Sequence, residues 1–275
     1  MSLKIENLCI KRGGRSVLSN ISLTVEAGEM VVIAGPNGSG KSTLLGAISG
    51  ELTPESGEIH FNGQPIGEWH LKSLARHRAV LLQSSSLTFP FRVIDVVLMG
   101  RSAHHDGLET ARDIHIADAA IKMVGLDGLE LRTYTQLSGG EKQRVHLARV
   151  LAQLWTETTQ DSDAAAAPRF LILDEPTSSQ DMAAQHLVLS SAQRCAQQGL
   201  GVLCVLHDLN QAAQYADRVL LLSEGTTVAI GTPIETLKPE ILERIYSVPV
   251  QVLQHPSYNC PIVLSQPPNE ARPDA

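Results

Sequence analysis

The run Gly35-Pro36-Asn37-Gly38-Ser39-Gly40-Lys41-Ser42-Thr43 combines glycines, a lysine and hydroxyl side chains at the spacing G-x-x-x-x-G-K-[ST]. Such glycines let the chain curl so that successive backbone N–H groups point inward. A helix starting near Lys41 would add the positive end of its dipole to that cradle. Lys41 is then expected to reach terminal phosphates, and the Ser42 hydroxyl to ligate Mg²⁺, a hard ion that favours oxygen donors. The chemistry is binding of a nucleoside triphosphate without any need for net positive charge.

A second group of residues suits hydrolysis. Phe170-Leu171-Ile172-Leu173 runs straight into Asp174-Glu175, which puts two carboxylates where a buried strand leaves the carboxyl edge of a sheet, the edge at which ligands of such sheets collect. Asp174 is placed to hold Mg²⁺ through its water shell, and Glu175 to polarise an attacking water. His207 follows the apolar run Val202 to Leu206 in the same way and could bond a γ-phosphate. It could equally be the neighbour of a helix start, because Asp208 with Gln211 three residues on makes an acceptable cap. Finally, Ser138-Gly139-Gly140-Glu141 precedes an apolar-periodic segment through Val145, Ala148, Leu151 and Ala152. Ser138 and Glu141 suit a capping box, and the glycines leave N–H groups bare at a positive helix end, which could serve as a further anion receptor or simply start a helix.

These residues need a particular scaffold. Leu3/Ile5, Ile21/Leu23/Val25 and Ile59/Phe61 alternate with polar neighbours, and Asn62-Gly63 suits a tight hairpin, so a small antiparallel sheet is expected. Continuous apolar runs at Met30–Ala34, Phe170–Leu173, Val202–Leu206 and Val219–Leu222 fit buried strands. Helical stretches around 41–49, 141–155 and 182–198 alternate with them, the pattern of an α/β fold around a largely parallel, covered sheet. From about 84 to 155 the alternation breaks. Apolar spacing through Val93, Val96 and Val97, and again through Ala117, Ala120, Ile121 and Val124, predicts an inserted helical subdomain. Thr156–Pro168 and the tail from Gln266 lack apolar periodicity and are expected to have little order.

With 22 basic and 29 acidic side chains the net charge is −7, which excludes nucleic-acid binding driven by overall charge. Four cysteines, Cys9, Cys195, Cys204 and Cys260, form no C-x-x-C pair, against a disulfide framework or zinc site. They are expected to be small buried hydrophobes. No apolar run approaches the roughly 18 residues of a spanning helix, and no signal peptide is expected at the start. A cytoplasmic compartment is expected.

In order along the chain, the phosphate loop, Gln83 behind Ala79-Val80-Leu81-Leu82, LSGGE, DEPTSSQD and His207 resemble the ordered motifs of the ATP-binding cassette (ABC) ATPases. The resemblance covers about residues 3–255. It implies the P-loop NTPase fold of that family, with a small antiparallel β subdomain and the helical subdomain inserted at about 84–155, over a domain of residues 1–255. Residues 256–275 would be a C-terminal extension. It further implies a head-to-tail homodimer in which Ser138–Gly140 of one chain closes on ATP held by the P-loop of the other. Gln83 would be the glutamine linking Mg²⁺ to a membrane partner, and Ser178-Ser179-Gln180-Asp181 the loop that crosses the dimer interface. Its third position is usually leucine, and Gln180 departs from that. The family commonly stacks an aromatic residue on adenine, but the corresponding stretch is Lys11-Arg12-Gly13-Gly14-Arg15. Arg12 or Arg15, whose guanidinium is planar, is expected to take that place.

Among importers, SGELTPESGEI, QSSSLTFPFRVIDVVLMGR and VLHDLNQAAQYADRVLLLSEG resemble bacterial haem-importer ATP-binding subunits, relatives of the ferric-siderophore and cobalamin ATPases. Such a subunit works at the cytoplasmic face of the inner membrane on a separate multi-span permease served by a periplasmic binding protein. Phe89 and Phe91 around Pro90 are expected to belong to the docking groove, with burial in the helical subdomain as the alternative. His104-His105 is expected to be a solvated surface rather than a ligand site. A non-transport ABC ATPase acting on nucleic acid usually carries a coiled-coil, zinc or tandem-cassette insertion, and none is present; a simple P-loop kinase would not need LSGGE.

Overall fold

Strand β1 (Ser2–Arg12) turns through Gly13-Gly14 into β2 (Arg15–Glu26), and β3 (Met30–Ala34) leads into α1 (Lys41–Ile48). Then come β4 (Ser56–Phe61), β5 (Gln64–Pro65), α2 (Leu71–His77), β6 (Arg78–Leu81), α3 (Val93–Leu98), α4 (Ala111–Met123) and α5 (Gly139–Leu154). After these follow β7 (Phe170–Asp174), α6 (Met182–Gln197), β8 (Gly201–Val205), α7 (Leu209–Tyr215), β9 (Arg218–Ser223), β10 (Thr226–Gly231), α8 (Pro233–Thr236), α9 (Pro239–Tyr246), β11 (Val250–Gln254) and β12 (Pro261–Ser265). The structure, a computed structural model, describes residues 1–83, 87–105, 107–155, 167–178 and 180–267. Most of the expected loop Thr156–Pro168 and the end of the tail lie outside these residues.

The chain gathers into two compact units. The first comprises Met1–Lys4, Thr24–Met30 and Ile59–Cys204. Within it β6 and β7 pair in parallel, Leu81 opposite Leu173, and every residue of β7 is buried. That explains why Phe170–Leu173 is uninterruptedly apolar. Helices α3, α4 and α5 pack on one another through Val93, Val96, Val97, Ile116, Ala117, Ala120, Ile121, Val145 and Ala148, all buried. All but Ile116 are positions the helical periodicity singles out. The ends of α4 and α5 follow local chemistry: Thr110–Asp113 and Ser138–Glu141 both form capping boxes. The Asn62-Gly63 turn joins β4 to β5 with Phe61 opposite Gln64.

The second unit comprises Ile5–Leu23, Val31–Glu58 and Val205–Ala275. Here β3 pairs in parallel with β9, Val32 opposite Val219, and β10 returns antiparallel along β9. The hairpin β11–β12 straddles the position 255/256 at which a C-terminal extension was expected to begin. It is tied to α7 by Asn210, whose Nδ2 donates to the Val263 carbonyl at 3.2 Å and whose Oδ1 accepts from the Val263 N–H at 2.7 Å.

One helix and one cysteine depart from expectation. Helix α2 lacks a readable apolar stripe, because only Leu74 is buried while Leu71 is 83% exposed. Cys195, Cys204 and Cys260 are buried free thiols as expected, but Cys9 is only half-buried. Among the described residues no helix is long and apolar enough to cross a membrane.

Candidate functional site

In the second unit, the loop after β3 is built around glycines that cannot be exchanged. A Cβ on Gly35, at φ +149°, would lie 2.1 Å from the Leu222 carbonyl oxygen, and one on Gly40, at φ +103°, would lie 2.4 Å from Leu18. The loop is braced from three sides. The Gly225 N–H donates to the Ser39 carbonyl at 3.2 Å, and Ser19 N–H to the Gly225 carbonyl at 2.9 Å. The Gly35 N–H donates to the Tyr246 hydroxyl, a phenol that burial pushes up to about 12. Lys41, 6% exposed, folds back on its own loop, its Nζ donating to the carbonyls of Gly35 at 2.8 Å and Pro36 at 2.9 Å. Pro36 is half-buried, Asn37, Gly38 and Ser42 are exposed, and Thr43 is buried. The Ser39 hydroxyl is buried without a hydrogen-bond partner. A phosphate oxygen is the kind of group that would satisfy such a donor.

His207 is exposed and directly precedes Asp208. Asp208 caps α7 by accepting from the N–H groups of Asn210 at 2.7 Å and Gln211 at 3.2 Å. Arg12 and Arg15 are both exposed at the β1–β2 turn.

In the first unit, Asp174 is 7% exposed at the end of β7. The next residue, Glu175, takes a left-handed backbone at φ +48°, unusual for a side chain of this kind. Gln83 Nε2 donates to Glu175 Oε2 at 2.5 Å, so the structure brings together two residues singled out from distant motifs. The Glu175 carbonyl accepts from Ser178 N–H at 3.2 Å and from Gln143 Nε2 at 3.2 Å. The involvement of Gln143 was not foreseen: a polar residue one turn into a helix carries no signal of its distant partner.

The signature segment forms the capping box expected of it. Ser138 N–H and hydroxyl donate to Glu141 Oε2 at 2.7 and 2.8 Å, and Glu141 N–H donates to Ser138 Oγ at 3.3 Å. The Ser138 N–H, then its hydroxyl, hold the Glu141 carboxyl below its usual range. Gly139 and Gly140 occupy the first positions of α5, where backbone N–H groups have no partner inside the helix.

Two residues near the end of α5 correct the picture of a solvated histidine pair. Arg101 and Asp113 form a buried ion pair at 2.9 Å, each side chain 5% exposed. Arg101 also donates to the carbonyls of Ala152 and Trp155 at 2.7 and 2.9 Å. His104 is half-buried beside this pair, with Nε2 hydrogen-bonded to the Gln153 carbonyl at 2.7 Å. Burial, and then the nearby Arg101 and Arg76, bring its pKa down to about 4. No group of three or more His, Cys, Asp or Glu side chains that could hold a metal occurs among the described residues. The docking candidates Phe89 and Phe91 are 68% and 36% exposed, so neither is buried in the helical core.

Residues 18–178 match the ABC transporter family. The chain belongs to that family. It is 46% identical over 262 residues, 95% of its length and 93% of the relative's, to the hemin import ATP-binding protein HmuV of Gloeobacter violaceus. It is 48% identical over 257 residues, 92% of its length and 97% of the relative's, to the protein of the same name from Plesiomonas shigelloides. Among solved structures, a chain of an inward-facing ABC transporter of metal-chelate type superposes with a TM-score of 0.79 at 28% identity, covering 96% of this chain and 97% of that one. This ABC protein is an ATP-binding and ATP-hydrolysing subunit.

Proposed function

We propose that this chain energises an ABC importer by hydrolysing ATP on a separate permease at the cytoplasmic face of the inner membrane, and that its cargo is haem. The observation that carries the cargo is the identity of 46–48% over more than nine-tenths of the chain to hemin import ATP-binding proteins. Among the described residues no side chain selects haem by its own chemistry.

In this reading the backbone N–H groups of Gly35 to Thr43 and the Lys41 ammonium hold the phosphates. Arg12 or Arg15 covers the adenine face. Ser42, Asp174 and Gln83 each offer an oxygen of the hard kind that Mg²⁺ would take. Bound Mg²⁺ would offset phosphate charge and orient the γ-phosphate. Glu175, its carboxylate fixed by Gln83, takes the proton of the attacking water, and His207 senses the γ-phosphate. Two chains pair head to tail, so that Ser138–Gly140 and Glu141 of one complete the nucleotide site of the other. A periplasmic binding protein delivers cargo to the permease, and no nucleic acid takes part.

Growth of the parent bacterium on haem as its only iron source tests the reading. A strain lacking this gene should stop growing and recover with the intact gene but not with Glu175→Gln. Normal growth on haem, with loss of ferric-siderophore or cobalamin uptake instead, would assign the cargo elsewhere.

A further inference from the structure

The residue that departs from the family's usual leucine is hydrogen-bonded into the segment that follows β7. Gln180 Nε2 donates to Gln143 Oε1 at 3.2 Å and to the Pro176 carbonyl at 3.1 Å. Gln143 in turn uses its own Nε2 on the Glu175 carbonyl at 3.2 Å and on Ser178 Oγ at 3.3 Å. Gln185, on α6, donates to the Gln180 carbonyl at 3.2 Å and to the Thr177 carbonyl at 3.4 Å. The Gln180 stem also lies over the signature segment, where a Cβ on Gly140 would meet Gln180 Cγ at 3.8 Å.

The orientation of this amide is fixed by chemistry: both atoms facing its Nε2 are acceptors, so the nitrogen must be the group turned toward them. A leucine could fill the same space over Gly140 but could make neither bond. The arrangement also has a cost that leucine would not carry, because Gln180 Oε1 is left buried without a partner. Glu175 sits in a left-handed conformation that persists only where its surroundings hold it. Its carbonyl is gripped by Gln143, and Gln143 is gripped by Gln180.

We propose that Gln180 is a positioning residue for ATP hydrolysis: through Gln143 it fixes the backbone of Glu175 and so locks the hydrolytic carboxylate and the signature helix α5 into one arrangement. This rests on the reading of Glu175 as the base that activates water. Gln180 itself touches neither nucleotide nor water.

The test is steady-state ATPase activity of the full-length protein against ATP concentration and pH. Gln180→Leu keeps the volume and loses both donors. Its kcat is expected to fall about three- to tenfold, the scale of losing one or two neutral hydrogen bonds, with KM for ATP unchanged. Gln180→Glu presents a carboxylate that cannot donate at alkaline pH but can once protonated. Its rate relative to wild type should therefore climb as the pH is lowered toward about 5, which a packing role would not produce. Adding Gln180→Leu to Gln143→Leu should cost nothing beyond Gln143→Leu alone. A wild-type kcat in Gln180→Leu, or additive losses in the double variant, would overturn the proposal. If Gln180→Leu folds poorly, the pH ratio of Gln180→Glu decides alone, a flat ratio counting against it. Glu175→Gln run alongside separates the two readings. An inactive Glu175→Gln beside a fully active Gln180→Leu removes only the positioning role, whereas an active Glu175→Gln removes the base and this proposal together.

Discussion

Gln83 holds the Glu175 carboxylate, Nε2 to Oε2 at 2.5 Å, because β6 and β7 run in parallel with Leu81 opposite Leu173. Gln83 lies two positions after Leu81 and Glu175 two after Leu173, so the shared register carries both to the same edge. There the glutamine amide donates to one carboxylate oxygen, which in the proposed mechanism orients the carboxylate for accepting a proton.

Replacing Glu175 by Gln keeps the shape and removes the basicity. Turnover is expected to fall by about 10²- to 10⁴-fold, the contribution of a general base, while ATP affinity is kept and an ATP-bound dimer accumulates. Gln83→Ala should also lower kcat, by at least about tenfold, since it releases the orientation of the carboxylate and removes one oxygen offered to Mg²⁺. Phosphate-release kinetics and gel filtration with ATP check both. A Glu175→Gln protein that hydrolyses at the wild-type rate would remove the assigned base.

In the proposed mechanism Lys41 acts earlier, in binding. Its ammonium, held by the Gly35 and Pro36 carbonyls at 2.8 and 2.9 Å, is the one buried cation in the loop, and charge-assisted hydrogen bonds of this kind are worth about 1.5–3 kcal/mol each. Lys41→Ala should therefore raise the dissociation constant for ATP by at least about tenfold, as read by calorimetric titration. An unchanged constant would mean that the backbone N–H groups alone carry the phosphates.

The sequence exposes these roles unevenly, and the reason is physical. Asp174 and Glu175 stand out because four apolar residues announce a buried strand and its end. The P-loop stands out because its glycines are dictated by close approaches such as that of Gly35 to Leu222. The Ser138–Glu141 cap is local and was equally readable. Gln143 and Tyr246 leave no such trace, since each meets a backbone group brought to it only by tertiary folding, and Gln180, though it stands out as a departure from leucine, gives no sign of its distant partner Gln143. Helix α2 escaped because one buried leucine makes no period. His104 reads as a solvated residue because its neighbour His105 and the polar stretch beyond give no sign of the Gln153 carbonyl that it meets.

Arg101 and Asp113 govern stability rather than chemistry. Deleting one member of a buried ion pair strands the other, at a cost of about 3–5 kcal/mol. Arg101→Met should lower the urea midpoint by that measure, the more so because the carbonyls of Ala152 and Trp155 lose their donor. Arg101→Met combined with Asp113→Leu should recover part of the loss. If the double variant is less stable than Arg101→Met alone, the stranded carboxylate is not the main penalty.

Acid should loosen the same region in two stages. The folded pKa of His104, about 4, lies below the ordinary 6.5, so the unfolded chain takes up the proton first. The stabilisation is complete above pH 6.5 and is lost as the pH falls toward 4. Discounted for the partly exposed ring, it amounts to about 1 kcal/mol. Burial alone would raise the Asp113 carboxyl, but the Thr110 N–H, Arg101 and the Thr110 hydroxyl outweigh it and bring the pKa to about 2. Its contribution is therefore lost at lower pH still, from 3.8 downward. Melting temperature against pH should show a slope between about pH 4 and 6.5 that His104→Gln flattens. An equally steep slope in the variant would place the titrating group elsewhere.

Phe89 and Phe91 connect to this machinery through Tyr134. Their rings lie 6.1 Å apart at the surface, and the Phe91 carbonyl accepts from Tyr134 N–H at 2.8 Å. The Tyr134 hydroxyl, fully inside the helical subdomain, hydrogen-bonds His146 Nε2 of α5 at 2.8 Å. A force applied to the two rings thus has a short, stiff route to the signature helix. Replacing both with alanine removes the apolar surface on which a permease segment would bear but leaves the nucleotide loop and Glu175 untouched. ATP affinity and hydrolysis by the isolated protein should stay unchanged, while transport in vesicles carrying the permease should drop toward background. Transport at the wild-type rate in Phe89→Ala/Phe91→Ala would show that the permease bears on some other part of the subunit.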